Sequence, residues 1–303
     1  MLKAIDLSII IVNYNTKDLL QDCLISVLAS KGDFSFEVTV IDNDSQDDSA
    51  QMVADKFPQV KLIRSSENLG FSVANNLAIK KANPSSFILF LNPDTIVPEK
   101  SLKTMVDFMK ENTKVGAATC RVELTNGCLD QACHRGFPTV WNAFCYFMGL
   151  EKLFPKSKPF SGYSLGYLPL DKTHQIDSAC GAFLIVRKKA GDQINWFDQD
   201  YFWYGEDIDF CYRLKEKGWQ IMFIADTKII HYKGMASGIK KHSQAVSSAK
   251  KETRIKAVKA SVQVMRIFFQ KHYQDKYPKP IYWLVILGIT FLEKVRLLKL
   301  KFN

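Results

Sequence analysis

The chain has 303 residues, 47% apolar and 24% charged, proportions that exclude disordered and fibrous proteins and leave room for one large core. Seven cysteines, an odd number without a CxxC pair, argue against a disulfide framework or zinc ribbon and for a reducing compartment. The net charge of +10 is uneven: residues 228–303 carry 17 Lys and Arg against three acids, whereas residues 1–227 carry 24 against 28.

From the N-terminus, only the six-residue run Leu7 to Val12, five of them apolar, follows Asp6, too short for a signal-peptide core. That run and Phe36–Ile41, Val60–Ile63, Phe87–Leu91 and Val115–Thr119 read as buried strands. Between them Asp18–Leu28, Ser49–Phe57, Ser72–Ala82 and Glu99–Lys110 place apolar residues at helical spacing. Strands alternating with helices of this length predict an α/β protein with a mostly parallel sheet. Ligands of such sheets bind beyond the carboxyl ends of the strands. The polar residues there are Asn13-Tyr14-Asn15, Asp42-Asn43-Asp44-Ser45 and Asn92-Pro93-Asp94. Any one group makes an ordinary turn or helix cap, but three in succession point to a site.

Residues 121–175 scatter Gly and Pro among aromatics and read as loops with a short hairpin. A strand pattern resumes over Ile176–Val186, followed by the polar-aromatic cluster Phe202 to Asp209 and a helix over 207–217. Beyond Gly234 the pattern is helical, with Ile255, Val258, Val262, Met265 and Phe269 at steps of three and four between basic residues. The uncharged runs Gly136–Leu150 and Ile281–Leu292 both fall short of the roughly 20 residues a spanning helix needs.

Neither GxG nor GxxxxGK[ST] occurs, which removes the dinucleotide fingerprint and the P-loop. Phosphate must be held another way, and a divalent metal on oxygen ligands, with Asp94 as a candidate and Asn92 beside it, is the obvious one. Cys128, Cys133 and His134 lie close in sequence but lack a fourth ligand for zinc.

Seven blocks, in order, carry a resemblance. SIIIVNYNT (8–16), IDNDSQD (41–47), NLGF (68–71) and LNPDT (91–95) resemble the nucleotide-sugar half of family 2 glycosyltransferases. GAFLIVR (181–187), FDQDYFWYGEDIDFCYR (197–213) and HYKGMAS (231–237) resemble the acceptor half, and the overall look is that of bacterial rhamnosyltransferase-like enzymes of cell-surface polysaccharide synthesis. The resemblance implies a GT-A fold and inverting transfer from a nucleotide-diphosphate sugar, dTDP-rhamnose or a UDP-sugar, to a lipid-linked or surface-glycan hydroxyl. It implies that Asp42 contacts the nucleoside, that Val12, Tyr14 and Asn15 line its pocket, and that Asn68, Gly70, Asn75 and Asn92 belong to the donor site. Asn92 and Asp94 stand where the family has its DxD metal motif, with Asn replacing the first Asp. Metal affinity for Mg2+ or Mn2+ therefore rests mainly on Asp94, with His231 completing the site. Asp207 matches the catalytic base, with Glu206 beside it.

This chemistry is physically coherent. An acceptor hydroxyl attacks the anomeric carbon and a nucleoside diphosphate leaves, so a cation on the phosphates and a carboxylate opposite them are what the reaction asks for. The same acids would serve equally as first-turn residues of the helix they open. Trp203 and Tyr204 would stack on sugar or fill core. The organisation expected is a glycosyltransferase domain over 1–238, split into 1–120 and 121–238, and a basic helical extension over 239–303. That extension is expected to lie on an anionic membrane, making the protein cytoplasmic and peripheral on the inner face of the plasma membrane. Packing of Ile281–Leu292 on the domain, or a homodimer contact, is the alternative use of that run. The rival readings are a catalytically silent GT-A interaction module and a basic nucleic-acid binder. The second is disfavoured because the excess charge sits on an amphipathic helix and not on an aromatic-basic platform.

Overall fold

A computed structural model describes residues 5–232 and 251–302. Its first third is the parallel layer that the alternation predicts. β1 (Ile5–Asn13), α1 (Lys17–Leu28), β2 (Phe36–Asn43), α2 (Ser49–Lys56), β3 (Lys61–Ser65), α3 (Gly70–Lys81) and β4 (Ser85–Leu91) follow in turn. β1 is central, paired in parallel with β2 on one side and β4 on the other, with β3 outside β2. Ile9, Ile10 and Ile11 are fully buried, as a strand covered on both faces requires. The strand order reverses between β2 and β4 about β1, so the crevice at their carboxyl ends is a topological switch point. Asn13 and Asp42 are direct register partners there.

The rest extends the same sheet with mixed directions. In chain order come β5 (Thr95–Ile96), α4 (Ser101–Glu111), β6 (Val115–Leu124), α5 (Val140–Phe147), α6 (Leu150–Leu153), β7 (His174–Ile176), β8 (Phe183–Arg187), α7 (Lys188–Gln193), α8 (Glu206–Glu216) and β9 (Gln220–His231). The sheet runs β3-β2-β1-β4-β8-β6-β9-β5, with β7 also on β9. β8 is antiparallel to both β4 and β6, and β9 runs parallel to β6.

Three differences from the sequence reading have physical reasons. The single strand expected over Ile176–Val186 is two, β7 and β8, because residues 177–178 leave the sheet and bond the backbone of Arg135. β9 has no counterpart in the sequence reading: Asp226 and Lys228 interrupt its apolar pattern. The irregular stretch 121–175 contains α5 and α6, and β6 runs on to Leu124.

Two helices, α9 (Lys251–His272) and α10 (Lys279–Phe302), close the chain. Phe268, Phe269 and Tyr273 form a second apolar cluster with Tyr212 of α8, against which Phe137, Val140, Tyr282, Val285 and Ile286 pack. Fully buried Asp209 ties the helices to α8, taking Arg213 Nε at 2.6 Å and His272 Nε2 at 2.7 Å. One side of the Ile281–Leu292 run therefore packs on the body. The expected boundary at 238/239 and residues 233–237 of the last motif lie outside the described residues.

Candidate active site

Each strand of the parallel half ends in a polar group, and these groups hold one another. Asn13 Nδ2 donates to Asp42 Oδ1 at 3.1 Å and to Ser45 Oγ at 3.0 Å. Asn15, at φ 53°, accepts from Gln46 N at 2.7 Å, and its own N–H donates to Ser45 Oγ. Tyr14 projects into solvent, 44% exposed, while Val12 is half-buried beside Ile41. Asn43 bridges β2 to the next turn: its Nδ2 donates to Asn68 Oδ1 and its Oδ1 accepts from Leu69 N. Asp42, Tyr14, Asn15 and Asn68 thus share one connected loop edge.

Gly70 and Asn75 have different surroundings. A Cβ on Gly70, at φ +74°, would lie 2.7 Å from the Phe202 ring. Phe71 N donates to Phe202 O, and Ser72 Oγ donates to Tyr201 O at 2.8 Å. The NLGF turn is therefore the bed on which the 201–205 loop rests. Asn75 is buried inside α3, its Nδ2 on Phe71 O.

Beyond β4 the chain turns through Asn92-Pro93-Asp94 into β5, whose Thr95 is the register partner of His231 at the end of β9. That pairing brings together two residues 137 apart in sequence: His231 Nε2 lies 3.1 Å from Asp94 Oδ1 and 3.5 Å from Asn92 Nδ2. The other ring nitrogen lies 3.2 Å from Asp130 Oδ2. Burial disfavours the imidazolium, but Asp94 and Asp130 outweigh it and raise His231 to about 9.

α8 supplies the third group. The chain enters it through Tyr204 at φ 82° and Gly205 at φ 80°, a left-handed pair that aims the first turn of the helix. Glu206 and Asp207 are both 9% exposed. Asp207 Oδ2 takes Arg135 Nη2 at 2.8 Å, and its Oδ1 takes the N–H of Ile208. Burial, together with the like charge of Asp207, pushes Glu206 up to about 8. The guanidinium of Arg135 loses solvation, yet Asp207 beside it holds its pKa above the ordinary value. Arg135 Nε and Glu206 Oε2 are buried with no hydrogen-bond partner among the described residues. Trp203 and Tyr204 stack on each other at 5.5 Å between centroids. Asp209, the third acid of the loop, points into the core contact with α9 and away from this group.

Sequence reasoning missed Asp130 and Arg135. They sit five residues apart around a single 3-10 turn, Gln131–Cys133, and no motif or period marks them. Five residues span at most about 18 Å, so this segment ties the His231 and Asp207 groups within one substrate's reach. Of the three residues weighed for zinc, Cys128 is exposed while Cys133 and His134 are buried, and His134 Nε2 faces His174 Nε2 at 2.7 Å.

The donor set around Asp94 suits a hard divalent cation shared with a substrate. Mg2+ and similar ions take one or two carboxylates from the protein and the remainder from phosphate and water. Asp130 fixes the orientation of His231, as an outer carboxylate does for a ligating imidazole. Among the described residues no group of three or more His, Cys, Asp or Glu is placed to hold a metal ion by itself. The arrangement fits a cation completed by a diphosphate.

Comparison with known proteins identifies the family and the fold. The family model "Glycosyl transferase family 2" matches residues 8–168. Over 171 residues the chain is 30% identical to the rhamnosyltransferase WbbL of Escherichia coli K12, an alignment covering 54% of this chain and 61% of that protein. Over 211 residues it is 24% identical to the N-acetylglucosaminyl-diphospho-decaprenol L-rhamnosyltransferase of Mycobacterium tuberculosis, covering 66% of this chain and 68% of that one. Among solved structures, a Pyrobaculum calidifontis mannosyltransferase in complex with GDP-Man and Mn2+ matches at TM-score 0.57 and 16% identity, covering 93% of this chain and 68% of that chain. GalNAc-T7 with UDP, GalNAc and Mn2+ matches at 0.58 and 14%, covering 86% and 48%. These structures share the fold, the GT-A architecture expected from the sequence.

Proposed function

The chain belongs to glycosyl transferase family 2, and from that premise we propose that it moves a sugar, with inversion, from a nucleotide-diphosphate donor to a hydroxyl of a lipid-linked or surface-polysaccharide acceptor. The observation that carries this reading is the pair of groups Asp94–His231 and Asp207–Arg135, tied together by the segment 130–135. Similarity to two rhamnosyltransferases, one of them named for a diphospho-decaprenol acceptor, supports dTDP-rhamnose as the first donor to test and a lipid-linked glycan as the acceptor.

In this reading Asp42, Tyr14, Asn15, Asn68 and Val12 receive the nucleoside at the switch point. Asp94 and His231, with Asn92 alongside, would hold a divalent cation, which must displace the proton that His231 carries in its absence; the cation would stabilise the negative charge developing on the departing diphosphate. Asp207 accepts the proton of the attacking hydroxyl, a role worth roughly 10²–10⁴-fold. Arg135 keeps one Asp207 oxygen in place and leaves Oδ1, held only by a backbone N–H, toward the acceptor. Burial and the like charge of Asp207 favour the protonated form of Glu206. Two adjacent carboxyls with environments this different suit different roles, and the neutral one is a hydrogen-bond donor to sugar. Gly70 acts through structure, supporting the loop that delivers Glu206 and Asp207, and Asn75 is bonded within α3.

Incubating the full chain with nucleotide sugars, Mn2+ or Mg2+ and a lipid-linked glycan tests the reading. Transfer with inverted anomeric configuration is the expected result. Donor binding with neither transfer nor donor hydrolysis would make the chain an interaction module instead.

A further inference from the structure

We propose that α5, α6 and the outer side of α10 form a single surface that docks on an anionic lipid bilayer. Trp141, Phe144 and Phe147 on α5 and Leu284, Leu287 and Phe291 on α10 are each between 48% and 70% exposed. On α10 the three recur at steps of three and four, so they form one stripe, opposite the Tyr282, Val285 and Ile286 side that packs on the body. The helices that carry them, α5 and α10, adjoin. Val140 at the start of α5 packs on the same cluster as that inner side, and Arg296 is close enough to Tyr146 for each to influence the other's ionisation. Exposed aromatic and aliphatic residues at this density mark an interaction surface.

Charge decides the partner. Around the patches Lys152, Lys156, Lys158, Lys294 and Lys299 are exposed. The acids of residues 140–160 and 279–302 are Glu151 and Glu293, and both turn inward. Burial raises the carboxyl pKa of Glu151, whose Oε2 is buried, and Glu293 is paired with Arg266 at 2.8 Å. The outward face is therefore aromatic and basic without a competing acid, the chemistry of helices that lie in the headgroup region of anionic membranes. No helix among the described residues is long and apolar enough to cross a bilayer. α10 lies along the membrane. α5 begins five residues after Arg135, the partner of Asp207, so the docked face sits beside the base. This last link rests on the transfer reading above: the bilayer then presents a lipid-linked acceptor on the side from which its hydroxyl reaches Asp207.

The test is co-sedimentation of the full chain with vesicles of phosphatidylcholine alone or with one quarter phosphatidylglycerol, at 0.1 and 0.5 M salt. Wild type should partition at least tenfold more onto the anionic vesicles, and the excess should fall at high salt. The triple variants Leu284→Ser/Leu287→Ser/Phe291→Ser and Trp141→Ser/Phe144→Ser/Phe147→Ser should each lose at least tenfold, with thermal unfolding and donor affinity unchanged. Equal sedimentation of wild type and both variants overturns the proposal. So does a wild-type dimer, by analytical ultracentrifugation, that the same substitutions convert to monomer without any vesicle binding. Vesicle binding by a chain that transfers no sugar would leave the docking surface standing and defeat the transfer reading alone.

Discussion

Arg135 Nη2 stands 2.8 Å from Asp207 Oδ2, and neither side chain is more than 13% exposed. A single charge-assisted contact of this kind holds one carboxylate oxygen in place. Its own backbone is held by a bridge to Ser178, in the segment between β7 and β8. Arg135 is therefore a positioning residue, acting on the acceptor hydroxyl only through Asp207.

Arg135→Met should lower kcat by about 10- to 100-fold, as misplacement of a base by an ångström does, while the donor KM stays within about twofold. Arg135→Lys should recover part of the loss. Steady-state kinetics on both variants check this. A parallel rise in donor KM would assign Arg135 to the donor instead.

Asp94→Ala should weaken donor and divalent-ion binding together, and His231→Ala should do so less. Asp130→Asn should act in the same direction by loosening His231, typically by 10- to 100-fold in metal affinity for an outer partner. Calorimetry with and without EDTA measures all three. Donor affinity unchanged by EDTA would remove the cation from the account.

Gly70→Ala places a methyl against the Phe202 ring and forces a positive φ on a residue with a Cβ. The backbone alone costs about 1–2 kcal/mol, equivalent to roughly 2–8 °C in Tm for a chain of this size. Turnover should fall with it, because the displaced loop leads directly into Glu206. A thermal melt and an activity assay on one preparation suffice.

Stability should fall with acid because of His134. Burial, and then the neighbouring His174, lower it to about 4, whereas an unfolded His titrates near 6.5. Between these values the unfolded chain binds more protons than the native one. The contribution is therefore complete above pH 6.5 and lost as pH falls toward 4. Its size is about 2–3 kcal/mol. Denaturant melts of His134→Leu against wild type between pH 7 and 4 should show the difference shrinking as pH falls. A constant difference would contradict the assignment.

The parallel half was legible because buried parallel strands are continuous apolar runs, and their polar ends stand out against them. β9 was not, since exposed Asp226 and Lys228 break its apolar run where its register with β6 shifts. The three acids of the 206–209 segment are indistinguishable in sequence. The fold separates them by helical phase: Asp209, two positions on from Asp207 and about 200° round α8, meets Arg213 and His272, while Asp207 faces Arg135. Asp130 and Arg135 lie in a stretch without periodicity, and only the meeting of β5 with β9 and of residue 135 with 178 shows what they touch. The Ile281–Leu292 run reads as a single apolar segment, yet α10 divides it into a packed side and an exposed side.

The most direct measurement is single-turnover transfer by Asp207→Asn alongside donor affinity. The amide keeps the shape and can still bond Arg135 only through its oxygen, but it cannot take a proton. The account predicts a fall in the rate of transfer of roughly 10²-fold or more, with donor affinity and Tm near wild type. A variant that kept more than about a tenth of the wild-type rate would contradict it and move the proton acceptor to another group.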